Sequence, residues 1–125
     1  MTQAHPGITG VASISIGTDN LPRLLDFYRD TLGLKLRSQR PHNAQFEFGE
    51  LRLIVGLHSE VHGVTREPQR MMVNFIVPDI TVAHQLLVEA GVDFIRPPSP
   101  EGWGGMIATF KDPDGNLLQL FQLKP

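Results

Sequence analysis

Five histidines and no cysteine set the chemical limits of this chain. Without thiols there can be no disulfide, no thiolate nucleophile and no cysteine-ligated zinc or iron–sulfur site. His58 and His62 stand four residues apart, the spacing of a helical metal pair. Gly63 follows directly and the surrounding stretch is polar, so both are read as solvated residues of a linker. His5 near the N-terminus, His42 after Pro41 and His84 off the apolar stripe of a helix are read as surface residues too. Ser13 and Ser15 alternate along one strand, but no histidine or lysine is expected beside them to make a nucleophile–base pair. Gln119 is the polar residue that stands out. It lies in Leu117 to Leu123, which is otherwise apolar apart from Gln122. A strand apolar on both faces is covered on both faces, so Gln119 should be buried. Trp103, the single tryptophan, sits in Glu101-Gly102-Trp103-Gly104-Gly105 after Pro97-Pro98-Ser99-Pro100. The glycines allow either an aromatic flap over a cavity or a ring that anchors its own loop. Glu47 and Glu101 could meet a cationic ligand but are read as solvated charges.

These residues need a scaffold, and 125 residues supply one domain, 1–125, with room for a core. Hydrophobic content of 41% and charged content of 19% are those of a globular protein. A net charge of −2 offers no electrostatic footprint for nucleic acid or an anionic membrane. No apolar run reaches membrane-spanning length, and no basic-then-apolar leader opens the sequence, so the cytoplasm is the expected compartment.

The pattern along the chain repeats. After a frayed start over Met1 to Gly7, Ile8 to Ile16 reads as a strand. Thr18-Asp19-Asn20 is an N-cap cluster with Pro22 in the first turn. Leu21, Leu24, Leu25, Tyr28 and Leu32 form a helical stripe that Gly33 ends. Leu34 to Arg40 is a strand, and Gln45 to Phe48 with Leu51 to Leu57 form a hairpin over Gly49-Glu50. A polar linker covers His58 to Gln69. Then Met71 to Val77 is a strand and Asp79 starts a helix. Its stripe is Ile80, Ala83, Leu87 and Ala90, and Gly91 ends it. Val92 to Ile95 is a short strand and Arg96 to Gly105 a loop. Gly105 to Phe110 and Leu117 to Leu123 flank the turn Asp112-Pro113-Asp114-Gly115-Asn116. Residues 7–65 and 70–123 are thus two copies of one β-α-β-β-β unit, neither able to close a core alone.

Tandem βαβββ units, the run Phe27-Tyr28 to Leu32-Gly33-Leu34 and the Asp-Pro-Asp-Gly-Asn turn together resemble the vicinal oxygen chelate superfamily. That group includes glyoxalase I, extradiol dioxygenases, fosfomycin resistance proteins and bleomycin-binding proteins. The resemblance implies an α+β fold, with a cup-shaped mixed eight-stranded sheet and helices on its convex face. It would put Ala12, Ile14, Ile16, Met71, Val73, Phe75 and Val77 on the helix side. The cavity side would then hold Ser13, Ser15, Met72, Asn74, Ile76, Leu117, Gln119 and Phe121. One face of the hairpin would join them, either Phe46 and Phe48 or Gln45 and Glu47, with Phe46 taken as the candidate contact.

The same resemblance locates four metal-ligand positions of the metal-dependent relatives. They fall on Ser13, on the acid-free stretch Leu51 to Leu57, on Met72 and on Gln119. Hydroxyl, aliphatic, thioether and amide groups do not form a site for a hard divalent cation. No metal ligand and no cofactor is therefore expected, although His42 would lie near the cup mouth. The implied function is binding of a small organic molecule by a metal-free homodimer, with Ser13, Ser15, Phe46, Met72, Asn74, Trp103, Gln119 and Phe121 as contacts. Sequestration of an antibiotic or metabolite fits that description. The alternative is a lyase, isomerase or dioxygenase-like enzyme working without the usual ligands, and a regulatory subunit with a filled cavity is a third possibility.

Overall fold

A computed structural model describes residues 5–124. Its strands and helices follow the repeat. The first half runs β1 (Ser13–Thr18), α1 (Leu21–Asp26), a π-helical turn (Phe27–Thr31), β2 (Leu36–Gln39), β3 (Asn43–Phe48) and β4 (Leu51–Leu57). After a short 3-10 turn, Pro68–Arg70, the second half runs β5 (Val73–Ile76), α2 (Ile80–Glu89), β6 (Phe94–Pro100), β7 (Met106–Lys111) and β8 (Leu117–Gln122).

Each half makes its own four-stranded mixed sheet, ordered β1-β4-β3-β2 and β5-β8-β7-β6. The eight expected strands are present, but hydrogen bonding divides them into two ladders instead of one continuous sheet. In each ladder the first strand runs parallel to the last, and the rest are antiparallel. β1 and β5 are consequently both edge strands.

The helix starts obey local chemistry. The Asn20 side-chain oxygen accepts from the Arg23 amide at 3.2 Å. Asp79 accepts from the amides of Thr81 and Val82, both at 3.1 Å. Gly33 and Gly91 end the helical segments at positive φ, +70° and +87°, where a side chain would be strained. The first helical segment needs one more residue than the second to pass from cap to glycine, and the π turn absorbs it.

Two boundaries differ most from the sequence expectation. β1 starts at Ser13, and Ile8, Val11 and Ala12 before it are exposed. β6 runs to Pro100, through prolines expected to lie in a loop. It is an edge strand, where a missing N–H is tolerated, and its register to β7 shifts between Arg96 and Ser99.

One core serves both sheets. Tyr28 meets Phe46 of the first sheet at 6.3 Å between ring centroids, and Phe27 meets Phe110 of the second at 6.5 Å. Phe48 and Phe75 bring the sheets directly together at 6.0 Å. Each fully buried aromatic of this kind contributes about 1.5–3 kcal/mol from burial. The first helical segment therefore packs against both sheets at once.

Candidate functional site

The alternation of β5 and β8 separates two environments. Val73, Phe75 and Val77 turn toward the core, whereas Met72, Asn74 and Ile76 are exposed. Met71, expected on the helix side, lies before β5 and is 79% exposed. On β8, Leu118 and Leu120 are buried against the helices, and Gln119 and Phe121 are half-buried on the opposite face.

Register arranges this second face into rows. Asn74 pairs with Gln119, and Gln119 with Thr109 on β7. The Gln119 Nε2 donates to the Thr109 hydroxyl at 2.9 Å, which leaves its carbonyl oxygen for another donor. The adjoining row is apolar: Ile76 pairs with Phe121, and Phe121 with Ile107. Trp103 lies over this row, its ring stacked on Phe121 at 6.0 Å and 21°. It is 46% exposed, so it forms a platform on the sheet and is not buried as an anchor. A Cβ on Gly105 would fall 1.9 Å from the Trp103 ring, which is why glycine is needed there.

On the first sheet the matching face carries Ser13 and Ser15, both exposed. Ser13 is opposite Arg52 and Ser15 opposite Ile54. Glu47 is the next partner of Arg52. The Lys35 ammonium, 3.3 Å away, holds the Glu47 carboxyl below its ordinary pKa, with Arg37 adding to the effect from 3.6 Å. Phe46 is not on this face. It is fully buried in the core, and the open side of β3 belongs to Gln45 and Glu47. The physical reason is register: Ala44 and Phe46 share parity and both point at the helices, against Tyr28.

These positions do not fit a metal. Ser13 offers a hydroxyl and pairs in register with Arg52, a residue of cationic rather than ligating chemistry. Met72 offers a thioether and Gln119 a neutral amide. Among the described residues, no three of His, Asp or Glu come close enough together to hold an ion. His42, His58 and His62 are exposed. His84 differs from expectation: it is half-buried, its ring edge-on to Phe94 at 4.5 Å.

The Asp-Pro-Asp-Gly-Asn turn does more than reverse the chain. Asp112 and Asp114 are both buried. Asp112 accepts from the Tyr28 hydroxyl at 2.8 Å, from the Asn116 side chain at 2.8 Å, and from the amides of Asp114 and Asn116 at 2.9 Å. Asp114 accepts from the Thr18 hydroxyl at 2.6 Å and pairs with Arg23. The turn of the second half is thus fastened to β1 and the helical segment of the first. Burial raises the Asp112 pKa, against the lowering effect of its Asn116 and Tyr28 hydrogen bonds. Burial, then the Asp112 charge, raises the Tyr28 pKa well above its ordinary value. The sequence reading placed these carboxylates in a turn and missed their burial. The available signal was Tyr28 itself, a stripe residue whose hydroxyl needs a partner once buried.

A cavity of about 570 Å³ opens between the two halves on the helix side. Its walls include Phe48, Leu51, Val77, Ala83 and Leu87, and of the residues expected to face the cavity Asn74 and Ile76 line it.

Residues 10–120 match the family model of the Glyoxalase/Bleomycin resistance protein/Dioxygenase superfamily. The uncharacterized protein YraH of Bacillus subtilis (strain 168) is 27% identical over 124 residues, spanning 88% of this chain and 95% of that protein. A glyoxalase/bleomycin resistance protein/dioxygenase from Nocardioides has a similar solved structure, at TM-score 0.74 and 22% identity, covering 97% of this chain and 87% of that one. A lactoylglutathione lyase from Agrobacterium tumefaciens aligns at TM-score 0.72 and 16% identity, over 92% of this chain and 94% of that one. At such identities the structural likenesses speak for the fold alone.

Proposed function

Because this chain belongs to the glyoxalase/bleomycin resistance protein/dioxygenase superfamily, we propose that it binds a small organic molecule on the open sheet faces without a metal. The observation that carries this reading is the pair of adjacent rows on the second sheet. One row is amide and hydroxyl, Asn74-Gln119-Thr109, and the other is apolar and aromatic, Ile76-Phe121-Ile107 under Trp103. An apolar platform beside a few convergent neutral hydrogen-bonding groups is the composition of a small-molecule site. Ser13, Ser15 and Met72 border it in the proposed complex, and Phe46 supports the first sheet from inside the core.

The donor set at the relatives' metal positions disfavours metal-dependent catalysis, and sequestration of the ligand is the activity this reading assigns. The working unit in this reading is a homodimer of single 125-residue domains, each built from 7–65 and 70–123. Its support is that β1 and β5 are edge strands next to exposed apolar residues: Ile8 at 84%, Met71 at 79% and Ile76 at 70%. No helix among the described residues is long and apolar enough to cross a membrane, and the proposed compartment is the cytoplasm.

A thermal-shift screen of metabolites and antibiotics tests the binding. A compound that stabilises the wild-type chain should lose most of its effect on Gln119→Ala and Trp103→Ala. Equal stabilisation of the wild type and both variants would place binding elsewhere.

A further inference from the structure

The internal repeat predicts that the two halves clasp each other in the same way, and the structure shows that they do not. Aligning the helix caps Asn20 and Asp79 sets Thr18 opposite Val77, Leu24 opposite Ala83 and Tyr28 opposite Leu87. Counting the extra residue of the π turn would move the last match to Leu86, which is also apolar. Aligning the hairpins through their cross-strand pairs, Phe46 with Leu53 and Phe110 with Leu118, sets Phe48 opposite Asp112 and Leu51 opposite Asn116.

On one side, therefore, Thr18, Tyr28, Asp112 and Asn116 build a hydrogen-bonded clasp, Thr18 through Asp114. On the other, their counterparts Val77, Leu87, Phe48 and Leu51 all line the cavity. Replacing Leu24 by Ala83 and Tyr28 by Leu87 removes side-chain volume where the first half is filled. The two-residue turn Gly49-Glu50 is also shorter than its three-residue counterpart, Pro113-Asp114-Gly115. The space left is about 570 Å³, within the range of small-molecule pockets.

We propose that this cleft between α2, β5 and the β3–β4 turn is a second binding site, which shares only Asn74 and Ile76 with the sheet-face rows, for an uncharged, largely hydrocarbon molecule such as a terpenoid or an alkyl chain. None of the described residues lining it is ionisable, and only Thr31 and Asn74 bring polar side chains. A charged ligand would be desolvated there without a partner. A protein segment would carry peptide N–H and C=O groups against walls that offer these two side chains and little else. A hydrocarbon has no such requirement, and covering these apolar walls removes their surface from water. Leu86, 61% exposed, stands at the mouth.

The probe is N-phenyl-1-naphthylamine, an uncharged apolar fluorophore, titrated into the full chain. The wild type should show saturable fluorescence enhancement. Ala83→Phe, which puts a ring into the cleft, should weaken binding at least tenfold. Leu86→Lys, which puts a charge at the mouth and leaves the core untouched, should weaken it several-fold and serves if the first variant folds poorly. Absence of saturable binding to the wild type, or equal affinity in the wild type and a folded Ala83→Phe, overturns the proposal. So does a change from dimer to monomer in Leu86→Lys with unchanged probe binding, since the cleft would then be a subunit contact. The sheet-face reading stands or falls separately, because its screen is scored on Gln119 and Trp103, which do not line this cavity.

Discussion

The Tyr28 hydroxyl donates to the Asp112 carboxylate at 2.8 Å, joining the first helical segment to the last hairpin across 84 positions of sequence. Both groups are buried, Tyr28 fully and Asp112 to 4% exposure. Removing the donor leaves a buried carboxylate short of one partner. Tyr28→Phe should therefore cost about 2 kcal/mol in urea unfolding, with the fold kept because Asn116 still holds Asp112. A cost below a few tenths of a kcal/mol would mean that the clasp is not a stabilising element.

Tyr28 is also the only tyrosine, so its ionisation can be followed alone at 295 nm. Its folded pKa is raised by burial and by Asp112. A raised folded pKa means that the native state holds the proton more tightly than the unfolded chain. Its contribution to stability is complete below the unfolded value near 10 and declines as pH rises above it, by at most about 1.4 kcal/mol per pH unit. Phenolate absorbance should appear only together with unfolding. Appearance near pH 10 with intact circular dichroism would contradict the burial of this hydroxyl.

Much of this was legible in the sequence, and the reasons are specific. Asn20, Asp79, Gly33 and Gly91 mark helix ends by local chemistry, and the structure follows them. Gln119 was legible only in part: a strand apolar on both faces predicts a buried residue, whereas it is half-buried on an open face and bonded to Thr109. Phe46 was not, because alternation fixes two faces but does not say which one meets a helix. The prolines of β6 concealed a strand, since an edge position tolerates what a central one would not. The buried carboxylates of the turn depend on contacts between halves, and turn chemistry alone describes only the local chain.

Gly105→Ala should push the Trp103 ring off Phe121, because the added methyl has no space beside it. The expected signature is a red-shifted, more quenchable emission from the single tryptophan, with a stability loss of about 1–3 kcal/mol. Unchanged emission would show that Trp103 does not rest on that platform.

Ile76→Lys places a charge on the exposed face of an edge strand. If that edge meets a second copy, light scattering should show the mass of a dimer for the wild type and of one chain for the variant, with the melting transition of the isolated chain retained. A wild type that is monomeric at tens of micromolar would remove the dimer from the account.

Ligand binding on the proposed sheet-face site should be independent of metal. It is tested most directly by taking the best stabilising compound from the screen and repeating the melt after EDTA dialysis and again with added Zn, Ni, Mn or Fe(II). At 100 times its dissociation constant the compound should add about 2.7 kcal/mol, a shift on the order of 10 °C for a domain of this size. The same shift is expected in all five conditions. A shift that vanishes in EDTA and returns with one metal would contradict it.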